Sequence, residues 1–148
     1  MRTALAHGPI DVAGLVREVA DAGVGATTLF LGTVRDVNEG RRVTGIEYRA
    51  YEAMAARELA TLVGEAAGRF GTQRIVVEHR LGTLALGDVS VAIAVAHARR
   101  APAMDAQRWI IEELKRRVPV WKLEHYADGT REWVDPTRDA RPAPAEVA

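Results

Sequence analysis

Residues 89 to 98 read VSVAIAVAHA, a nearly unbroken apolar run between Asp88 and Arg99. A strand of that composition has no polar face to turn to water, so the run predicts burial on both sides within a layered core. RIVVEHRL, just before it, reads as a second strand joined to it through LGTLALGD. The strongest helical period falls between Glu52 and Phe70, where Leu59, Leu62, Val63, Ala66 and Phe70 recur on one face. That face is built for packing.

The other elements are marked by punctuation. Asp11 suits an N-cap for a short helix over 11–22 that carries Val12, Leu15, Val16 and Val19 on one side and stops at Gly23. ATTLFLGTVRD (26–36) and VTGIEYRAY (43–51) read as strands joined by the polar VNEGRR, expected to be a long, flexible connection, with Arg35 where the first strand runs out. Pro102 sits at the expected first position of a helix over about 103–117, and Pro119 ends it. VWKLEHY, the turn ADGT and REWV then predict a final hairpin. The order α, β, β, α, β, β, α, β, β predicts an α+β fold. A chain of 148 residues fits one domain, here 1–134, with the Pro- and Ala-rich DPTRDARPAPAEVA at 135–148 expected to be a flexible tail.

Composition removes several function classes. Formal net charge is zero, from 20 acidic and 20 basic residues, which argues against a nucleic-acid or anionic-membrane coat, so any basic site is local. Cysteine is absent, so there is no thiolate nucleophile and no disulfide framework, and any sulfur chemistry brings its sulfur in. MRTALAHGPID lacks the apolar core of a signal peptide and no run is long enough to span a membrane, which predicts a cytoplasmic protein. His7, His79, His97 and His125 have no zinc-like spacing, and no phosphate-binding Gly loop, dinucleotide fingerprint or Ser elbow occurs. Neither a metal nor a cofactor is expected.

What remains is cationic. Of 20 Lys plus Arg, 18 are arginine, and the two lysines, Lys115 and Lys122, lie seven residues apart in LKRRVPVWKLEHY. An amine can lose its proton where a guanidinium cannot, and Arg116 and Arg117 beside Lys115 would push it that way. If VWKLEHY is a strand, Val120, Lys122, Glu124 and Tyr126 share one face. Chance proximity and an ordinary exposed strand face explain these residues equally well at this point. Arg99 and Arg100 stand between a buried strand and a helix N-terminus, a combination suited to a phosphate, or equally a solvated strand end.

Three stretches then carry a resemblance: FLGTVRDVNEGRRVTGIEYRAYEAM, HRLGTLALGDVSVAIAV and RRAPAMDAQRWIIEELKRRVPVWKLEHYADG. In order and spacing they resemble the large catalytic subunit of molybdopterin synthase over about residues 8–134, most specifically at LK-x-R-x-P-x-WK-x-E, Leu114 to Glu124. The resemblance implies an α/β hammerhead-like fold with an additional antiparallel β subdomain. It implies a sulfurtransferase that converts cyclic pyranopterin monophosphate to molybdopterin, a dithiolene. The sulfur would come from the C-terminal Gly-Gly thiocarboxylate of a small ubiquitin-like carrier subunit.

By position, Lys115 and Lys122 match the family's active-site lysines, and Thr33, Val34 and Arg35 its substrate loop, with Leu123 and Glu124 completing the segment. The family's His-Arg pair aligns with Arg99 and Arg100, a departure that leaves His97, two residues earlier, as the available imidazole. The resemblance also implies a homodimer with a carrier at each end, a heterotetramer. Arg99 and Lys115 lie a helix length apart, so residues from two copies are expected to meet in one site. Two rivals are a domain that senses a phosphorylated metabolite without turnover and a scaffold that docks a ubiquitin-like partner.

Overall fold

The computed structural model describes residues 1–134, and the tail expected at 135–148 lies outside the described residues. From the amino end the chain runs β1 (Arg2–Ala6), α1 (Val12–Val19), β2 (Ala26–Thr33), β3 (Val37–Asn38) and β4 (Arg41–Ala50). It continues through α2 (Glu52–Phe70), β5 (Ile75–Arg80), β6 (Gly82–Ala85) and β7 (Val89–His97). It closes with α3 (Arg100–Arg117), β8 (Val120–Tyr126) and β9 (Arg131–Val134).

The first sheet has the order β1-β5-β7-β2, with β1 parallel to β5 and the other pairs antiparallel. The apolar run is β7, inside that sheet and covered on both faces. Val91, Ile93 and Val95 join a core with Leu59 and Leu62 of α2 and Ala106 and Ile110 of α3. Ala92, Ala94 and Ala96 pack instead with Leu15 and Val19 of α1. Small side chains on that face let the short helix settle close to the strand. Leu59 and Leu62 are wholly buried, and each burial stabilises the fold by roughly 2 kcal/mol.

The second sheet is built on β4. One edge of β4 pairs with β8, which carries β9 beyond it, and the other edge takes β3 and then β6. The result is the expected α+β architecture, a helix-covered sheet with an antiparallel subdomain beside it.

Several elements differ from the sequence expectation. VNEGRR is no flexible connection: Glu39 (φ 49°) and Gly40 (φ 79°) form a two-residue turn that pairs Asn38 with Arg41 and Val37 with Arg42. Positive φ at both central positions is the type I′ geometry that matches strand twist. LGTLALGD contains β6, which crosses to the second sheet, and RTALA forms β1. Neither segment has a decisive period, because each is held by its partner strand. Helix α1 ends at Val19, ahead of Gly23, although Asp11 does cap it by accepting from the Gly14 N–H at 3.0 Å. Helix α3 begins at Arg100, three residues earlier than expected, so Pro102 is its third residue. The first turn tolerates proline there because its N–H groups have no intrahelical acceptor. Among the described residues, no helix is long and apolar enough to cross a membrane.

Gly25 leads directly into β2, the edge strand of the first sheet. Its N–H donates to the His97 carbonyl at 3.0 Å, and a Cβ there would collide with the carbonyl oxygen of Ala98. Gly25→Ala is expected to destabilise the chain by about 1–3 kcal/mol, read from the denaturant midpoint at an unchanged slope.

Candidate active site

The two sheets and the end of α3 enclose a pocket of about 150 Å³. Lys115 reaches it from the last turn of α3, Lys122 and Glu124 from β8, and Thr33 and Arg35 from the end of β2 and the segment after it. Residues far apart in sequence, including both lysines of the chain, line one small space.

Local structure aims these groups. The β2–β7 register slips between Gly32 and Thr33, opposite Ser90, whose hydroxyl donates to the Gly32 carbonyl at 3.2 Å. Such a bulge turns the strand end and re-aims the residues beyond it. Val34 is then pinned: its N–H donates to the Asp88 carbonyl at 3.0 Å and its own carbonyl accepts from Gly87 at 2.8 Å. Arg35 projects from this fixed point. It enters none of the ion pairs found among the described residues, and neither do Arg99 and Arg100.

Glu124 is the most heavily engaged side chain in the pocket. Its carboxylate, only 2 % exposed, lies 3.2 Å from the Lys122 ammonium, itself 12 % exposed. It accepts from Asn38 Nδ2 through both oxygens at 2.9 Å and from the Tyr126 hydroxyl at 2.8 Å. Burial alone would raise its pKa, but the Asn38 and Tyr126 hydrogen bonds and the Lys122 charge outweigh burial and hold it below the ordinary carboxylate range. Burial, and then the bond to Glu124, push Tyr126 up to about 12, so it remains a donor. Glu124 is therefore a clamp that orients Lys122, with its lone pairs already occupied.

Around Lys115 the local field differs from the sequence expectation. Arg116 pairs with Glu113 at 3.0 Å, and Arg117 pairs with Glu58 at 2.8 Å and Glu65 at 2.6 Å, bridging α3 to α2. Carboxylates compensate both arginines, which weakens the like-charge pressure that adjacency suggested. Behind the pocket instead lies His79, 2 % exposed. Its pKa is pushed down to about 4, first by burial and then by the positive charge of Lys115. Tyr48, which lines the pocket, meets the His79 ring edge-on at 5.1 Å.

Not every expected residue stands in the pocket wall. The Val34 side chain is 5 % exposed in the core beneath, and Leu123, 8 % exposed, is on the opposite face of β8 from Lys122, paired with Glu47 and Trp133. Arg99 caps the N-terminus of α3 and Arg100 opens it, both exposed, about 24 Å from Lys115 at 1.5 Å per residue. The Arg99 N–H donates to His97 Nδ1 at 2.9 Å, so that imidazole serves the strand-to-helix junction.

Sequence reasoning missed Asn38, Tyr48, Ser90 and His79. Only His79 left a signal, by sharing the inward period of Ile75 and Val77. Among the described residues, no group of three or more His, Asp or Glu side chains is arranged to hold a metal.

Glu124→Gln puts an amide where three donors converge, and is expected to cost about 2 kcal/mol or more at neutral pH. Because the folded-state pKa of Glu124 is depressed, its contribution is fully present above the unfolded carboxylate pKa and is lost as pH falls through the folded value. Urea titrations should therefore show wild type and variant furthest apart near pH 7 and converging below about pH 4.

Comparison with known proteins adds relatives. A family model described as MoaE protein matches residues 5–117. The chain is 44% identical over 148 residues to the molybdopterin synthase catalytic subunit of Oryza sativa subsp. indica, covering 93% of this chain and 77% of that one. It is 44% identical over 131 residues to the protein of the same name from Synechococcus elongatus, with 88% and 79% covered. Its structure is similar to the X-ray crystal structure of molybdopterin synthase from Staphylococcus aureus, with a TM-score of 0.83 at 31% identity, covering 88% of this chain and 94% of that one.

Proposed function

The chain belongs to the MoaE family, with an enzymatic role in molybdenum cofactor biosynthesis, and from that premise we propose that it converts cyclic pyranopterin monophosphate to molybdopterin. The sulfur comes from the C-terminal Gly-Gly thiocarboxylate of a small ubiquitin-like carrier, in the cytoplasm. The observation that carries this reading is the convergence of Lys115 and Lys122, the only lysines of the chain, on one small pocket with Arg35.

The charges suit the chemistry. Each transfer breaks the C–S bond of a thiocarboxylate as water adds its oxygen to the acyl carbon and returns a carboxylate to the carrier. The sulfur forms a C–S bond at a substrate carbon that loses an oxygen substituent, which departs as a phosphate oxygen or as water. Negative charge develops on the acyl oxygen, and fixed cations in a water-poor cleft stabilise it more than water does. Lys115 sits beside the incoming thiocarboxylate. Lys122, oriented by Glu124 and Asn38, holds the substrate or moves a proton. Arg35, with Thr33 at the bulge, binds anionic groups of the substrate. Val34 and Leu123 support this wall from below and behind.

A pocket of about 150 Å³ is smaller than the ~300–1,000 Å³ that encloses a drug-sized ligand. It takes a narrow acyl terminus and part of a pterin, and the rest of the substrate needs another wall. A homodimer supplies it, with Arg99 and Arg100 of one copy reaching the lysines of the other and a carrier at each end of the heterotetramer. Edge strand β2, with Leu29 and Leu31 40% and 39% exposed, leaves apolar surface for such contact.

Turnover separates this reading from a metabolite sensor and from a docking scaffold. Mass spectrometry of the chain mixed with a thiocarboxylated Gly-Gly carrier and the cyclic pterin phosphate should detect the dithiolene product. Lys115→Arg, folded and still charged, should lower kcat by roughly 100-fold or more. Near-normal turnover in that variant removes Lys115 from the chemistry, and equal product from free sulfide without carrier removes the carrier from the reaction.

The shared site is tested by mixing Arg100→Ala chains with Lys115→Ala chains, each inactive alone. Mixed dimers should regain part of the activity, because one pocket in each keeps both wild-type residues. Verified subunit exchange without activity means that each site is built within one chain.

A further inference from the structure

The segment ALGD (85–88), which leads from β6 into β7, has no task in the sulfur transfer so far, and its charged side chain, Asp88, stands outside the pocket wall. Its backbone closes a turn: the Asp88 N–H donates to the Ala85 carbonyl at 3.1 Å, and Gly87 at the bend has a φ of 80°. Positive φ at that position favours glycine. The Asp88 carboxylate closes the same turn from the other side, accepting from the Ala85 N–H at 2.9 Å. Its charge goes to Arg80 of β5, 3.4 Å away, and among the described residues Asp88 is the one carboxylate paired with Arg80. The Arg80 side chain is only 16 % exposed, so the pair ties the turn to the first sheet.

Val34 is fastened to this turn. The Gly87 N–H donates to the Val34 carbonyl and the Asp88 carbonyl accepts from the Val34 N–H, so two hydrogen bonds bracket the residue that precedes Arg35. We propose that Asp88 is a positioning residue for Arg35, its carboxylate holding the Ala85–Asp88 turn in the shape that fixes Val34 and so aims the Arg35 side chain along the pocket wall. A carboxylate in contact with Arg35 would hold the guanidinium but cancel the charge offered to an anionic ligand, as Glu124 compensates Lys122. A carboxylate that acts through the backbone, with its own charge spent on Arg80, fixes the origin of the side chain and leaves the guanidinium to the ligand. The proposal rests on the reading of Arg35 as the group that binds anionic parts of the substrate, and it extends that reading to what keeps Arg35 aimed.

Asp88→Ala should raise KM for the cyclic pterin phosphate by about tenfold and change kcat less. Asp88→Asn keeps an oxygen for the Ala85 N–H and should bring KM back to within about threefold of wild type. A double-mutant cycle separates aiming from general loosening. In an Arg35→Ala chain, adding Asp88→Ala should leave the dissociation constant of the cyclic pterin phosphate, read by calorimetry, unchanged, because the side chain that the turn aims is already gone.

Amide hydrogen exchange judges the turn without turnover. In the wild-type chain, which needs no variant to fold, the Val34 and Gly87 N–H groups should exchange about 100-fold or more slowly than those of an open loop. In Asp88→Ala both should speed up by about tenfold, while Ile93 and Val95 of β7 keep their wild-type rates. Unprotected Val34 and Gly87 amides in the wild-type chain, an unchanged KM in Asp88→Ala, an Asp88→Asn chain as defective as Asp88→Ala, or an Asp88→Ala effect that persists in full without Arg35 overturns the proposal. A wild-type chain that forms no molybdopterin from carrier and cyclic pterin phosphate sinks the functional reading, while exchange at Val34 and Gly87 still judges the turn.

Discussion

A strand with no polar face has to be covered twice, and β7 imposes that requirement on everything around it. Its valine and isoleucine face draws α2 and α3 onto one side, and its alanine face seats α1 on the other. Because α3 starts where β7 ends and packs back along β7 and β2, its direction is set by that burial. Eighteen residues of helix then carry Lys115 to the opposite end of the molecule, where the second sheet stands. The position of one pocket amine is thus set by the covering of an apolar strand, through a helix that starts about 24 Å from it at 1.5 Å per residue.

The second sheet meets that helix end with a buried charge. Glu124 is stable as a carboxylate only because an amide, a phenol and an ammonium converge on it. Asn38 arrives through the tight turn at Glu39 and Gly40, and Tyr126 and Lys122 flank Glu124 on its own strand, two residues to either side. Satisfying one anion therefore fixes a hairpin, a strand face and the direction of Lys122. Arg41 adds to the same corner by lying over the Tyr126 ring at 3.5 Å from its centroid.

Zero net charge conceals an uneven distribution. Arg2, Arg41, Arg74, Arg80 and Arg117 all have carboxylate partners, and Arg117 bridges α3 to α2. Among the described residues, Arg35 lines the pocket without such a partner, and Arg99 and Arg100 share that condition at the far end of α3. A chain in which many cations are compensated can still present a local anion site, because fields from paired charges fall off within a few ångströms while an unpaired guanidinium reaches further.

Local order in the sequence determined a good deal. The apolar run identified β7, the helical period gave α2 its observed bounds, Asp-Gly marked the last turn, and the scarcity of lysine pointed at Lys115 and Lys122 before any contact was known. These signals are legible because period, turn chemistry and composition are properties of neighbours along the chain. Only the tertiary structure decided which charges matter. Adjacency suggested that Arg116 and Arg117 press on Lys115, yet Glu113, Glu58 and Glu65 compensate them from α3 and α2. Asn38 and His79 looked ordinary in sequence, and became parts of the pocket and its backing because β3 folds over Glu124 and β5 turns its imidazole inward. Electrostatic interaction depends on distance through space and on burial, and residues 86 positions apart, such as Asn38 and Glu124, acquire both only when the chain has folded.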